Sequence, residues 1–177
     1  MATERNNDPA NAAQKLLKEL NIRSAPVPVE KIAKALEAQI RFSPLDDELS
    51  GMIYIKDGTA IIGVNSLHHS NRQRFTIAHE IAHLRLHSDL ISQEVHVDKK
   101  FSVLFRDATS SIGTEKIEVE ANKFAAELLI PQALLEKELE GKTFDIDDDS
   151  LLEKLAKKFQ VSRQMLDHRI RNMIRQQ

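Results

Sequence analysis

Three histidines recur at a spacing of four in the stretch RFTIAHEIAHLRLH: His79, His83 and His87, with Glu80 directly after the first. Residues four apart lie on one face of an α-helix, one turn above the other. Two imidazoles so placed can converge on one metal ion at about 2.0–2.1 Å each. His79-Glu80-Ile81-Ala82-His83 is thus an H-E-x-x-H pattern. In such a pattern the histidines bind zinc, and the glutamate, rotated off their axis, takes a proton from water acidified by the ion. The bland alternative is an ordinary helix that happens to hold these residues. The apolar surroundings of Glu80 weigh against it, because a buried carboxylate is costly without a partner or a role.

A catalytic zinc normally takes three protein ligands and leaves one position for water. Two histidines therefore leave the set incomplete. His87 is a poor third ligand, since eight residues along an unbroken helix turn it about 80° away from His79. The longer spacing and turning glycine that recruit a third histidine in metzincins are absent here. His87 reads instead as a helix-end residue or a support for the ligands. A later helix, TEKIEVEANKFAAELLIP, offers Glu115, Glu118, Glu120 and Glu127. Its apolar face is Ile117, Ala121, Phe124, Ala125 and Leu128. On a helical wheel Glu118 lies about 60° from the centre of that face and Glu120 about 100° on the other side. Glu118 is the candidate third ligand and Glu120 the alternative; both are otherwise solvent-facing helix glutamates. Asn122, one turn beyond Glu118, is placed to bond the second ring nitrogen of a histidine ligand.

Taken together, RQRFTIAHEIAHLRLH and IEVEANKFAAELLIP resemble the ImmA/IrrE family of zinc metallopeptidases. SGMIYIKDGTAIIGVN and VPVEKIAKALEAQI fit the same pattern, in order, over residues 28–131. The resemblance implies a gluzincin-type site: His79, His83 and Glu118 on Zn2+, with Glu80 as general base. It further implies a zinc-dependent endopeptidase acting on a specific protein. The substrate class it implies is a helix-turn-helix transcriptional repressor, cleaved to derepress genes of a phage, mobile element or stress response. One departure is Ala82, where many members carry glycine before the second histidine; it touches packing and not a ligand.

The elements that must position these residues follow from periodicity. PANAAQKLLKEL and VEKIAKAL have apolar residues at helical spacing, and Pro9 opens the first of them. QIRFSPL reads as a strand, and Met52 to Ile55 and Ala60 to Val64 are two more, joined through Asp57-Gly58 as a hairpin. An exposed edge of this hairpin is a place to hold a substrate by strand addition. The histidine helix, capped by Ser70 or Asn71, is apolar nearly all round and so reads as buried. Residues 88–113 read as partly extended and partly loop, a candidate lid or a plain surface segment. Thr114 is expected to cap the next helix, Pro131 to open another that stops at Gly141, and an acidic patch runs from Asp145 to Ser150. The tail then reads as two helices, turning near Gln160-Val161 with a cap at Ser162.

The expected fold is α+β: a mainly helical zincin-like peptidase with a small, mostly antiparallel sheet and a C-terminal helical pair. Residues 1–145 are the expected metallopeptidase domain and residues 146–177 the helix-turn-helix-like pair. The chain has no cysteine, which excludes thiolate zinc sites, disulfides and cysteine nucleophiles. Its net charge of -2 argues against nucleic acid as a main ligand, although Lys157, Lys158, Arg163, Arg169 and Arg171 would form a basic face on the tail. No apolar run reaches membrane-span length and the first residues are polar, so the expected location is cytoplasmic. Tyr54, His69, Arg72 and His87 are the candidates to stabilise an oxyanion. Two other function classes stand beside the peptidase: a non-catalytic module that binds a repressor, and a DNA-binding regulator acting through the tail.

Overall fold

A small sheet carries one long helix on one face, and four of the other helices pack against that helix. The computed structural model describes residues 8–91, 96–99, 108–140 and 149–175. In chain order the elements are α1 (Pro9–Glu19), α2 (Val29–Ala35), β1 (Gln39–Ser43), β2 (Leu49–Lys56), β3 (Thr59–Asn65), α3 (Ser70–Leu86), α4 (Ser88–Ile91), β4 (His96–Lys99), α5 (Ala108–Leu129), α6 (Gln132–Leu139), α7 (Asp149–Phe159) and α8 (Arg163–Arg175). Among the described residues, no helix is long and apolar enough to cross a membrane.

The sheet order is β1-β3-β2-β4. β1 runs parallel to β3, while β2 is antiparallel to both β3 and β4, so the sheet is mostly antiparallel as expected. Lys56 faces Thr59 across a two-residue turn in which Asp57 and Gly58 have φ of 50° and 75°. Both values are left-handed, the geometry that matches the twist of paired strands and that Asp-Gly adopts readily. β4 lies against β2 along Leu49–Ile53. The hairpin edge suggested by the sequence for strand addition is therefore occupied over that stretch by the chain itself.

α3 is the centre of the molecule. The unbroken run Ile77 to His83 is buried, as are Arg74 and Thr76. α5 packs along one side of α3 and β2 and β3 on the other, with α1 and α2 completing the surround. The cap differs from expectation: the helix starts at Ser70, and the His69 ring supplies the cap, its Nδ1 accepting from the Asn71 N–H at 3.2 Å. An imidazole Nδ1 sits at the same reach from the backbone as the side-chain oxygen of Asn, so it can satisfy one of the open N–H groups.

α5 begins at Ala108, so Thr114 lies within the helix rather than at its cap. Gly113 costs a helix only about 1 kcal/mol against alanine, and tertiary context overrides so weak a preference. Of residues 88–113, α4, β4 and the first turns of α5 are described; residues 92–95 and 100–107 lie outside the described residues. So do Gly141 and most of the acidic patch.

α7 and α8 share the main core: Leu152, Leu155, Phe159, Leu166 and Ile170 join Phe124 and Leu128. Gln160 turns the chain at φ 53°, and Ser162 Oγ accepts from the Met165 N–H at 3.1 Å, as expected of the cap. A buried ion pair fastens this unit: Arg169 bonds Glu127, which is 1% exposed. Glu127 also accepts from Gln14 Nε2 at 3.0 Å and from the Gln132 N–H at 3.2 Å, so it links α1, α5, α6 and α8. Burial pulls the Arg169 pKa below its ordinary value. Arg74 adds a second tie, reaching Val27 O at 2.8 Å and Gln160 O at 3.2 Å.

Removing one partner of a buried pair leaves an uncompensated charge, whereas an exposed pair contributes little. Glu127→Ala should lower unfolding stability by about 3–5 kcal/mol. Arg163→Ala, at the exposed pair with Asp149, should cost about 1 kcal/mol or less. Urea denaturation of both variants checks this, and equal losses would contradict it.

Candidate metal centre

His79 and His83, 2% and 0% exposed, project from α3 toward α5, which places Glu118 and Asn122 across from them. His79 Nε2 lies 3.1 Å from Glu118 Oε2, His83 Nε2 lies 3.5 Å from Glu118 Oε1, and the two Nε2 atoms are 3.0 Å apart. Ligand atoms on a tetrahedral zinc at about 2.05 Å would be roughly 3.3 Å apart. The separations, taken to the nearer Glu118 oxygen of each histidine, bracket that value, and one ligand atom from each residue lies within 4.8 Å of the others. Two imidazole nitrogens and a carboxylate are also a donor set that zinc accepts. Among the described residues, this is the one group of three such side chains gathered tightly enough to share an ion.

The neighbouring contact orients the first histidine. Asn122 Oδ1 lies 3.1 Å from His79 Nδ1. An amide oxygen only accepts, so Nδ1 donates, and the Nε2 lone pair is left facing Glu118 and His83. The sequence placed Asn122 in this role from its one-turn spacing to Glu118.

The two candidate glutamates of α5 part company. Glu118 meets both histidines, whereas Glu120 lies 3.6 Å from His87 Nε2 and 3.8 Å from Lys116 Nζ. His87 is the residue just past the end of α3, its backbone N–H bonded to His83 O at 2.8 Å, and it lies outside the three-residue group.

Glu80 is fully buried on a different side of α3, toward β2. A Cβ built on Gly51 would sit 3.5 Å from Glu80 Oε1. Two of the four oxyanion candidates are engaged elsewhere: His69 caps α3, and Arg72 Nη2 donates to Ser50 Oγ at 2.7 Å. Tyr54 lies on β2 opposite Ile61, and the His87 ring centroid is 5.6 Å from that of His83. What the sequence reading missed lies on β2, where Ser50 and Gly51 meet Arg72 and Thr76 of α3. The available signal was a glycine inside an apolar strand, which often marks close approach of another backbone or element.

The comparisons with known proteins agree with this architecture. No curated protein sequence matches the chain significantly. Among solved structures, the chain is similar to a Mycobacterium tuberculosis transcriptional regulator, with a TM-score of 0.62 at 22% identity. The match covers 92% of this chain and 46% of the other, so the chain spans about half the length of that protein. At this identity the likeness concerns the fold. A family model described as Peptidase_M78, the IrrE N-terminal-like domain, matches residues 33–171, from α2 through most of α8. The family that the two motifs resemble is thus the one whose model runs through both of them, and the chain belongs to the IrrE N-terminal-like domain family.

Proposed function

We propose that the protein is a zinc-dependent endopeptidase that cleaves a specific protein substrate in the cytoplasm. The observation that carries this reading is the convergence of His79, His83 and Glu118, with Glu80 on the same helix as the histidines. His79, His83 and Glu118 would hold the ion. When bound, it supplies Lewis acidity, polarising a scissile carbonyl and acidifying water.

The chain's own groups do the rest. Glu80 accepts the proton of the attacking water on a carboxylate oxygen and later delivers it to the leaving amine nitrogen. Asn122 keeps His79 in one tautomer. The apolar wall of α3 excludes competing water and strengthens every charge interaction in the site. Glu118 is about one-third exposed, so the metal centre opens to solvent on the α5 side.

For the substrate, the resemblance favours a helix-turn-helix transcriptional repressor whose cleavage switches on genes of a phage, mobile element or stress response. The family membership supports a peptidase with a regulatory role. A DNA-binding role for the tail is weakened by its own ion pairs. Arg169 is engaged with Glu127, Arg163 with Asp149, Arg171 with Asp167 at 2.9 Å, and Lys158 with Glu138 at 2.6 Å. Phosphate contacts need cations that are free to replace condensed counterions.

Zinc affinity, measured by competition with a chromogenic chelator, should fall at least about 100-fold in His83→Ala. Glu118→Gln should lose about 10- to 100-fold, because the carboxylate charge goes while the shape stays. Unchanged zinc affinity in both variants would remove the metal site. Glu80→Gln should bind zinc as the parent does and lose about 100- to 10,000-fold in cleavage of a co-expressed repressor, read by mass mapping of fragments. Cleavage at the parental rate by Glu80→Gln would overturn the mechanism, and retained repressor capture without any cleavage by the parent would favour the non-catalytic binder.

A further inference from the structure

One face of α3, made by Arg72, Thr76 and Glu80 at successive four-residue steps, is laid along the start of β2. Its first rung is polar: Arg72 Nη2 donates to Ser50 Oγ at 2.7 Å. Its second rung is a close approach of helix and strand. A Cβ on Gly51 would overlap Thr76 Cγ2 outright and stand 2.8 Å from Gly63 O on β3. Its third rung is Glu80, whose Oε1 is 3.5 Å from the same Cβ position. The pairing of β2 with β4 is irregular at this point: the register shifts between Leu49 and Gly51, so Ser50 is an extra residue. Such bulges re-aim side chains and recur next to active sites. Here the bulged residue is the one that Arg72 holds.

We infer that Ser50, Gly51 and Thr76 form a positioning seam for Glu80, and that Gly51 sets the depth at which α3 seats on the sheet. This inference rests on the reading of Glu80 as the general base. The division of labour on α3 gives it content. His79 and His83 face Glu118 and Asn122 on α5, whereas Glu80 faces β2. Widening the α3–β2 gap therefore acts on the base, while the histidines move together with α5.

The magnitude is sufficient. Bringing the Gly51 methyl and Thr76 Cγ2 from overlap to ordinary carbon contact takes on the order of 1 Å of separation. A misplacement of about 1 Å costs a catalytic group roughly 100-fold in rate. Ser50 adds a lateral constraint, so its loss is expected to be milder.

The test compares zinc-loaded parent, Gly51→Ala, Ser50→Ala, Glu80→Gln and the double variant Gly51→Ala with Thr76→Ser. The probe is one defined peptide that the parent cleaves, taken from the fragments mapped in the repressor assay, beside chelator competition and thermal melting. Gly51→Ala should lose about 100-fold in kcat with KM and zinc affinity within a few-fold of the parent. The double variant should recover part of both the melting temperature and the rate, because serine lacks the Cγ2 that the new methyl meets. Recovery of melting temperature without any recovery of rate would mean that the contact is structural only, and the inference would fall. So would a Gly51→Ala protein that cuts at the parental kcat while Glu80→Gln is inactive, since the base would then be intact without the seam. Cleavage by Glu80→Gln itself would instead sink the underlying mechanism.

Discussion

The constraint on which the structure turns is that α3, a helix bearing an acid and two imidazoles, lies where a folded chain ordinarily keeps hydrocarbon. His79, Glu80 and His83 are at most 2% exposed. Polar groups removed from water must be met by partners of matching geometry, or the fold loses several kcal/mol for each. The elements around α3 are arranged to supply those partners. α5 brings a carboxylate and an amide to the two imidazoles, while Glu80 lies on the side of α3 that faces Gly51 of β2.

That arrangement separates two tasks on one helix. Toward α5, the two imidazole Nε2 atoms and the two Glu118 carboxylate oxygens gather within reach of one shared ion. Toward β2, the glycine at position 51 permits a contact that no side chain would allow. The C-terminal helices pack into the same core and are tied to both α3 and α5. Glu127, on the same helix as Glu118, is fastened by Arg169 and Gln14, and Arg74 of α3 is fastened to the end of α7. The helix that carries the candidate third ligand is thereby held at both its neighbours, which is what a preorganised site requires.

How far this was legible in the sequence depends on the range of each interaction. Local signals read well. The Asp57-Gly58 turn, the two apolar strand runs beside it, the burial of α3 and the turn at Gln160 all follow from residues within a few positions of one another. The wheel position of Glu118 was legible for the same reason, since a helix converts spacing into direction. What depended on particular long-range partners was not legible. Ser70 and Asn71 looked like caps, yet the His69 ring performs that task. Three of the five basic residues read as a basic face on the tail, Lys158, Arg163 and Arg169, pair with carboxylates on α6, α7 and α5. The strand addition suggested for the hairpin edge met β4, whose pairing with β2 no local pattern announced. The start of α5 at Ala108 shows helix propensity overridden by context.

The central claim is that one metal ion sits between His79, His83 and Glu118. The most direct measurement is anomalous diffraction at the zinc edge from crystals of the zinc-loaded protein. One strong peak is expected within about 2.0–2.2 Å of His79 Nε2, His83 Nε2 and a Glu118 carboxylate oxygen. A peak at His87 and Glu120 instead, or none near the H-E-x-x-H helix, would contradict that claim.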